Sequence, residues 1–238
     1  MKIKVLASGS SGNCYWISDG KTNVLLDAGI PAKKIAQGLN FSLADIDACL
    51  ITHEHSDHVK AAKDLSRLGI PIYLTQGSFD ALKNTQYELM PVLARIVKAG
   101  RLFKVKSLTI LPFKTEHDAQ EPCGYLIQSS ETYEKLLYIT DTFYVRYRFQ
   151  GINYMLVECN YTDERLQQNV EAGIIPAPML ERLRRSHMSL EHLKEFIKAS
   201  DIKDLKLIYL IHISNDNGDI KRMVREIKAL TGVEVYAV

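Results

Sequence analysis

The feature that most constrains this chain is a dense cluster of histidines directly after a short apolar segment. The apolar segment, ACLIT at residues 48–52, has the length and composition of a buried β-strand. The motif HEHSDH follows at residues 53–58 and holds three of the seven histidines of the chain. In an extended segment, residues i and i+2 point to the same side, so His53 and His55 can reach one metal ion. The motif therefore predicts a metal site at the end of a buried strand.

The last two residues of the motif, Asp57 and His58, are expected to face away from His53 and His55. The apolar spacing predicts a helix over 58–68, and the turn into it aims Asp57 and His58 toward a second ion. Neutral imidazole and carboxylate suit Zn²⁺, Mn²⁺ or Fe²⁺, and the lack of thiolate in the motif argues against a closed structural zinc site. The four cysteines are scattered singly, which predicts reduced, buried thiols rather than a disulfide framework.

Two metal sites need more ligands than this motif supplies. Three candidates stand where an apolar strand opens into a loop: His117 after SLTILPF, Asp141 at the end of KLLYITD, and His212 in YLIHIS. Each alone has an ordinary structural interpretation, as a surface-loop histidine, a turn or helix cap, and a core histidine. Beside the HEHSDH motif, the interpretation as metal ligands is favoured.

Composition and element order indicate the class of protein. The chain has 238 residues, 46% of them hydrophobic and 24% charged, with a formal net charge of +2, which is typical of a globular protein and excludes a strongly basic or acidic one. The apolar runs are much shorter than the roughly 20 residues that span a bilayer, and the N-terminus lacks the apolar core of a signal peptide, so a soluble cytoplasmic protein is expected. Strands dominate both halves, with helices between and after them. We therefore expect one domain over 1–238, built from two packed sheets covered by helices.

These residues, in this order, resemble the five motifs of the metallo-β-lactamase superfamily, beginning with Asp27 at the end of the strand NVLLD. The resemblance covers nearly the whole chain and implies an α/β (α+β) fold, a four-layer αββα sandwich with its site at one edge of the two sheets. It also implies that Asp27 steadies the ligand loop. The ligands of two divalent ions, Zn or Mn, are implied as follows: His53, His55 and His117 for one ion, Asp57, His58 and His212 for the other, and Asp141 bridging both.

A narrower resemblance lies within the superfamily. The segments VLASGSSGN, LADIDA, THEHSDH, EPCGYLI, VECNY and HIS are similar to those of the YycJ/WalJ group, whose members are regarded as DNA exonucleases or related phosphodiesterases. This implies a dinuclear metal-dependent phosphodiesterase that acts on nucleic acid as a DNA exonuclease. Nuclease members of the superfamily are often dimers, which makes a homodimer the expected assembly.

A third similarity concerns proton transfer. In ribonuclease Z, a glutamate in a short strand and a histidine in a His-Ser-Thr motif cooperate near the leaving group, and Glu158 in VECNY and His187 in SHMS occupy comparable places. We expect His187 to be the general acid, oriented by Glu158, with Asp57 as the third catalytic residue. The structural alternative for His187 is a helix-capping role. His192 is offset from the apolar helix stripe and is expected to be exposed and idle.

Candidate substrate contacts lie near these residues. Aromatic and guanidinium groups can stack bases and neutralise phosphates, which favours Tyr144, Arg146 and Arg185 for this role, together with Ser189. A solvated loop with aromatic packing explains them equally well. The SGSSGN segment lacks the spacing of a phosphate loop and is expected to be a tight turn between two strands.

Other functions remain open from the sequence alone. A cyclic-nucleotide phosphodiesterase of the phage anti-defence type would use the same ligands on a smaller substrate. Thioester hydrolysis of the glyoxalase II type shares the ligands as well. A non-catalytic metal-binding module is a third alternative, although it would be expected to have lost some of the ligands that are present here.

Overall fold

The computed structural model describes residues 1–176 and 178–238 and divides the chain into two compact units. The first unit comprises residues 1–114 and 119–134, and the second comprises residues 115–118 and 135–238. The expectation of a single domain over 1–238 stays a prediction. None of the helices among the described residues combines the length and the apolar character needed to cross a membrane.

The first unit contains a six-stranded sheet whose strands are neighbours in chain order. The strands are β1 (Lys2–Ala7), β2 (Cys14–Ser18), β3 (Asn23–Leu26), β4 (Ala48–Leu50), β5 (Ile72–Thr75) and β6 (Ala94–Val97). Strands β1 to β3 pair antiparallel, whereas β3 to β6 pair parallel. Every residue of β4 is buried, as expected of a strand that is covered on both faces.

Helices and a three-stranded antiparallel segment complete this unit. The helices are α1 (Ala32–Gly38), α2 (Ser56–Val59), α3 (Ala62–Arg67) and α4 (Gln76–Leu82), and the further strands are β7 (Phe103–Val105), β8 (Leu108–Lys114) and β9 (Cys123–Ser129). Ile35 of α1 and Leu65 of α3 pack into one apolar core with Leu25 and Ile72 of the sheet. Burying such a side chain contributes about 1.5–3 kcal/mol, so this core holds the helices on the sheet.

The helix predicted over 58–68 is wrong, because two short helices, α2 and α3, replace it. The carbonyl oxygen of His58 accepts the N–H of Ala28, and the N–H of Ala61 donates to the carbonyl oxygen of Ala28, both at 2.8 Å. These two backbone groups are therefore taken from the helical i to i−4 pattern. The loop after β3 thus interrupts the helix at the end of the ligand segment, by which we mean residues 53–58 of the HEHSDH motif.

The second unit is built on four parallel strands. They are β10 (Lys135–Ile139), β11 (Tyr154–Glu158), β12 (Leu207–Ile211) and β13 (Glu234–Ala237), paired in that order. One register row consists of the buried residues Leu137, Met155, Ile208 and Val235. This row fixes the strands in register, so their carboxyl ends meet at one edge of the sheet.

Four helices belong to the second unit: α5 (Asp163–Glu171), α6 (Ala177–Ser186), α7 (Leu190–Lys198) and α8 (Ile220–Thr231). Their positions between and after the strands agree with the element order expected from the sequence. Thr162, Ser189 and Asp219 cap the N-termini of α5, α7 and α8, because each side chain accepts a backbone N–H three residues further on.

The four cysteines are free and buried, which confirms the prediction for them. Burial raises the pKa of each thiol, that of Cys123 to about 12. The thiols are therefore protonated and behave as small apolar side chains.

Candidate metal centre

Three of the predicted site residues stand at strand ends with a left-handed backbone. Asp27 follows β3 with a φ of 58°, Asp141 follows β10 with a φ of 49°, and His212 follows β12 with a φ of 51°. Non-glycine residues adopt this region infrequently, at a cost of order 1–3 kcal/mol, and such residues cluster at functional sites. At each position the chain turns sharply out of a buried strand and presents a carboxylate or an imidazole at the sheet edge.

The first unit brings the histidines of the HEHSDH motif together. His53 Nε2 lies 3.1 Å from His55 Nδ1, and the rings of His53 and His58 have centroids 4.1 Å apart. Asp57 Oδ2 lies 3.4 Å from His58 Nε2. This arrangement places three imidazoles and one carboxylate within reach of a common space, as a metal-binding cluster requires.

Asp27 holds this cluster from behind. Its carboxylate accepts the backbone N–H of Thr52 at 2.8 Å and the Thr52 hydroxyl at 3.0 Å. His58 Nδ1 lies 2.8 Å from Asp27 Oδ2, and neither side chain has exposed surface. An N–H on Nδ1 donating to this carboxylate leaves the lone pair on Nε2, the atom that faces Asp57. Asp27 therefore lies where it can orient the His58 ring, and its role behind a metal ligand stays a prediction.

The SGSSGN turn has a role that the sequence reasoning missed. It is the tight turn predicted between β1 and β2, but its last residue, Asn13, is fully buried, with the side-chain amide 3.3 Å from His58 Nε2. The Asn13 backbone N–H donates to the carbonyl oxygen of Asp57 at 2.8 Å. Gly29 lies against the same carbonyl so closely that an ideal Cβ would be 1.6 Å from the oxygen. In the sequence, the only indication of this close approach is Gly29 itself, a residue without a side chain two positions after Asp27.

Glu54 fixes the other side of the ligand segment. Its carboxylate accepts the Ser78 hydroxyl at 3.0 Å and the backbone N–H of Gln120 at 2.7 Å. The carbonyl oxygen of Thr52 accepts the N–H of Cys123 at 3.0 Å. The segment is thus held at Thr52 and at Glu54 by groups distant in sequence, which pre-organises the neighbouring imidazoles of His53 and His55.

The second unit has its own cluster around Asp141, which is almost fully buried. Asp141 Oδ1 lies 3.5 Å from His212 Nε2, 3.7 Å from His187 Nδ1 and 3.9 Å from His117 Nε2. Asp141, Glu158, His187 and His212 each offer a possible ligand atom within 4.8 Å of the others. The parallel register explains this convergence, since Glu158 ends β11 opposite Ile211, the last residue of β12.

Glu158 and His187 form the shortest contact in this cluster. His187 Nδ1 lies 2.6 Å from Glu158 Oε1, and the other carboxylate oxygen accepts the N–H groups of Thr142 and Met188. Burial acts to raise the pKa of Glu158, but His187 and a hydrogen bond from His212 together outweigh it, so the net pKa is lowered. Burial acts to lower the pKa of His187, but Glu158 and Asp141 together outweigh it, so the net pKa is raised. Both shifts favour an imidazolium paired with a carboxylate.

His117 is oriented through its other nitrogen. Its Nδ1 lies 3.1 Å from the carbonyl oxygen of Ser186 at the end of α6, while Nε2 faces Asp141. An N–H on Nδ1 that donates to this carbonyl directs the Nε2 lone pair into the cluster.

The candidate substrate contacts have different surroundings. Arg185 and Arg146 are largely exposed and make surface ion pairs with Glu181 and Glu116, and Tyr144 is exposed as well. Ser189 does not fit the expected substrate contact, because it is fully buried and its hydroxyl accepts the backbone N–H of His192, three residues further on. Its place is therefore a helix cap.

The expectation that His192 is exposed is wrong. The residue is half-buried on α7, and its Nδ1 is buried without a hydrogen-bond partner among the described residues. The reason is that the residue belongs to the first turn of a helix whose apolar face is packed into the protein.

Sequence comparison finds curated relatives that match almost the full chain. A family model described as the beta-lactamase superfamily domain matches residues 22–213. The exodeoxyribonuclease WalJ of Streptococcus pneumoniae is 32% identical over 246 residues, which cover 99% of this chain and 88% of the relative. The exodeoxyribonuclease YycJ of Bacillus anthracis is 28% identical over 233 residues, which cover 94% of this chain and 86% of the relative.

Structural comparison agrees with the sequence. The metallo-β-lactamase fold protein YhfI from Bacillus subtilis superposes with a TM-score of 0.70 at 14% identity, covering 99% of this chain and 95% of that protein. The predicted fold class is thereby confirmed, and the clusters of histidine and acidic residues described above can bind metal ions.

Proposed function

Since the chain belongs to the β-lactamase superfamily, in its WalJ/YycJ group, we propose that it is a metal-dependent hydrolase of phosphodiester bonds in nucleic acid and, more narrowly, a DNA exonuclease. The observation that carries this proposal is the 32% identity to an exodeoxyribonuclease over 99% of the chain. The donor clusters support metal-dependent chemistry, but imidazoles and carboxylates do not by themselves select a substrate.

The donor set fits two divalent ions. In the first cluster, the imidazole of His53 lies close to those of both His55 and His58. The second cluster adds further imidazoles around the buried carboxylate of Asp141. Nitrogen and oxygen donors of this kind suit Zn²⁺ or Mn²⁺. We propose the ligand sets that the family resemblance implies: His53, His55 and His117 for one ion, Asp57, His58 and His212 for the other, with Asp141 shared.

When bound, a pair of divalent ions polarises the phosphoryl group and lowers the pKa of the attacking water. The chain's own part is to hold the donors ready. Asp27 fixes the ring of His58, the Ser186 carbonyl fixes that of His117, and the αL backbone of Asp141 turns its carboxylate to the sheet edge. Asp57 belongs to the catalytic residues in this proposal because its carboxylate is one of the proposed ligands of the second ion.

His187 is the proposed general acid. Its short contact with Glu158 fixes the ring, and its remaining nitrogen is left to give a proton to the departing sugar oxygen. Glu158 is positioned in turn by two backbone N–H groups, so the pair is held without needing substrate. Tyr144, Arg146 and Arg185 are proposed to contact the nucleic acid, since exposed aromatic and guanidinium groups can stack on bases and pair with phosphates.

The test is a substrate panel with protein that has been stripped of metal by a chelator and reconstituted with Zn²⁺ or Mn²⁺. The panel holds single- and double-stranded DNA with one labelled end, RNA, cyclic mononucleotides, a thioester and bis(p-nitrophenyl) phosphate. We expect stepwise shortening of DNA from an end by the reconstituted protein and none by the stripped protein. The variants His58→Ala and His212→Ala, one in each cluster, should lower both metal content and activity.

The control variant is Asp64→Asn, an exposed carboxylate on α3 outside the clusters. It should keep the parental rate and metal content. Opening of a cyclic nucleotide without any degradation of DNA would contradict the proposal and favour the cyclic-nucleotide alternative, and thioester hydrolysis alone would favour the glyoxalase type.

The resemblance further leads us to propose a cytoplasmic homodimer. Light scattering behind size exclusion tests the assembly, because a monomer has a mass of 27.0 kDa and a dimer twice that. A mass equal to that of the monomer at working concentrations would contradict it.

A further inference from the structure

A cavity of about 350 Å³ lies in the second unit beside His117. Its wall includes Ser186, whose carbonyl oxygen orients the His117 ring, and Phe143, two residues after Asp141. Arg182 and Arg185 of α6 line it as well. Phe143 is close in sequence to Asp141, and Ser186 directly precedes His187. A molecule in the cavity therefore lies next to the Asp141 cluster.

The volume limits the occupant. Small-molecule pockets hold roughly 300–1,000 Å³, and this cavity is near the lower end of that range. A single nucleotide is the unit of a nucleic acid strand whose size matches this volume.

The basic residues of the wall suit a phosphate group. Arg182 and Arg185 are three residues apart and therefore share one face of α6, where their guanidinium groups can bind one phosphate. Arg185 is 80% exposed and only loosely paired with Glu181 at 3.7 Å, so it can turn toward an anion.

The rest of the wall suits a base. Phe143 is half-buried and offers a ring on which a base can stack. Glu116 and Asp118 lie in the same wall, and carboxylates accept hydrogen bonds from exocyclic amino groups of bases. The charge of Glu116 is partly offset by Arg146 at 2.8 Å, which reduces its repulsion of a nearby phosphate.

We propose that this cavity is the subsite for one terminal nucleotide of the DNA strand, with its phosphate on Arg182 and Arg185 and its base on Phe143. This inference rests on the proposed function and deepens it. A subsite with room for one nucleotide beside the reacting centre means that the strand is shortened by one nucleotide per cleavage, with mononucleotides as the product.

The test is calorimetric binding of dCMP, inorganic phosphate and deoxycytidine to the metal-loaded protein. The double variant Arg182→Gln/Arg185→Gln should weaken dCMP binding about tenfold or more, because two charge-assisted contacts are lost. Phe143→Ala should weaken dCMP and deoxycytidine but leave the binding of inorganic phosphate as in the parent, and Phe143→Trp should restore dCMP binding. Arg184→Gln, on the same helix but outside the cavity wall, is the matched control and should bind as the parent does.

Parental dCMP affinity in both the arginine double variant and Phe143→Ala, with folding confirmed by circular dichroism, would overturn the subsite. So would products of two or more nucleotides, resolved by mass spectrometry. If the parent degrades DNA while these variants bind dCMP normally, the subsite fails and the proposed function stands. If the parent degrades no DNA with either metal but the variants lose dCMP, the cavity binds a mononucleotide and the proposed function fails.

Discussion

The imidazole of His58 and the carboxylate of Asp27 are 2.8 Å apart, Nδ1 to Oδ2, and neither side chain has any exposed surface. The two residues are separated by 31 positions, and Asp27 meets His58 from a left-handed backbone position directly after β3. A buried carboxylate behind a ligating imidazole fixes the ring and increases its basicity.

Asp27→Asn should therefore lower the affinity for Zn²⁺ about 10- to 100-fold, since an amide is a weaker acceptor for the His58 N–H. The measurement is competition of the folded protein with a chromogenic zinc chelator. Thr52→Val, which removes the hydroxyl that also contacts Asp27, should weaken zinc binding in the same direction. Asp64→Asn is the matched control. If the first variant is folded and binds zinc as tightly as the parent, Asp27 does not orient the ligand.

Gly29→Ala should be among the most destabilising substitutions in the first unit. A Cβ there meets the carbonyl oxygen of Asp57, so the ligand segment must move away from the SGSSGN turn. We expect a loss of about 3 kcal/mol or more in the free energy of unfolding, and a lower metal content, because the displaced segment carries Asp57. Urea denaturation and elemental analysis give the two quantities.

The control for this clash is Gly173→Ala. Gly173 has a φ of +72° but open space around its Cβ position, so only backbone strain opposes the substitution. That strain costs about 1 kcal/mol. Equal losses for the two variants would show that the close approach of Gly29 to Asp57 is unimportant.

His187→Ala should slow DNA hydrolysis by about 10²–10⁴-fold with unchanged metal content, because the departing sugar oxygen then leaves without a proton donor. The loss should be much smaller for bis(p-nitrophenyl) phosphate, since nitrophenolate is a good leaving group that needs no proton. Glu158→Gln should show the same dependence on the leaving group. His192→Ala is the control, because it removes an imidazole from α7 that belongs to neither cluster. It should keep the parental rate for both substrates.

Equal losses on the two substrates would contradict a proton-transfer role for His187. They would indicate instead that the imidazole shapes the cluster around Asp141, from which it is 3.7 Å away.

The sequence predicted which histidine and acidic side chains lie together within each unit better than it predicted the contacts that hold them there. The pairing of His53 with His55 follows from the two-residue period of an extended chain, which is local information. The carboxyl-end positions of Asp141 and His212 follow from apolar runs that end in polar residues. The metallo-β-lactamase fold was predictable because its motifs extend along nearly the whole chain.

The supporting contacts could not be predicted in the same way. Asn13 meets His58 across 45 positions, and Glu54 meets Gln120 across 66. No periodicity encodes such pairings, since they depend on how loops from different strands meet. The break between α2 and α3 has the same origin, because the backbone of Ala28 supplies the competing hydrogen bonds.

The last prediction concerns pH and the second unit. Glu226 of α8 accepts hydrogen bonds from Lys194 of α7 at 2.6 Å and from Arg222 at 2.8 Å, and these contacts lower its pKa from 4.5 to about 2. A carboxyl group whose pKa is lowered by folding stabilises the protein fully above its unfolded pKa. That stabilisation is lost as the pH falls through the folded pKa.

Glu226→Gln should therefore lower the free energy of unfolding near neutral pH by at most about 1 kcal/mol, since the side chain is partly exposed and solvent screens the pair. The deficit should stay constant down to a pH of about 4.5 and shrink between there and about 2. Urea denaturation of both proteins across this range measures it. Glu195→Gln, an exposed residue of α7, is the control. A deficit that is the same at every pH would show that Glu226 acts through packing rather than through its charge.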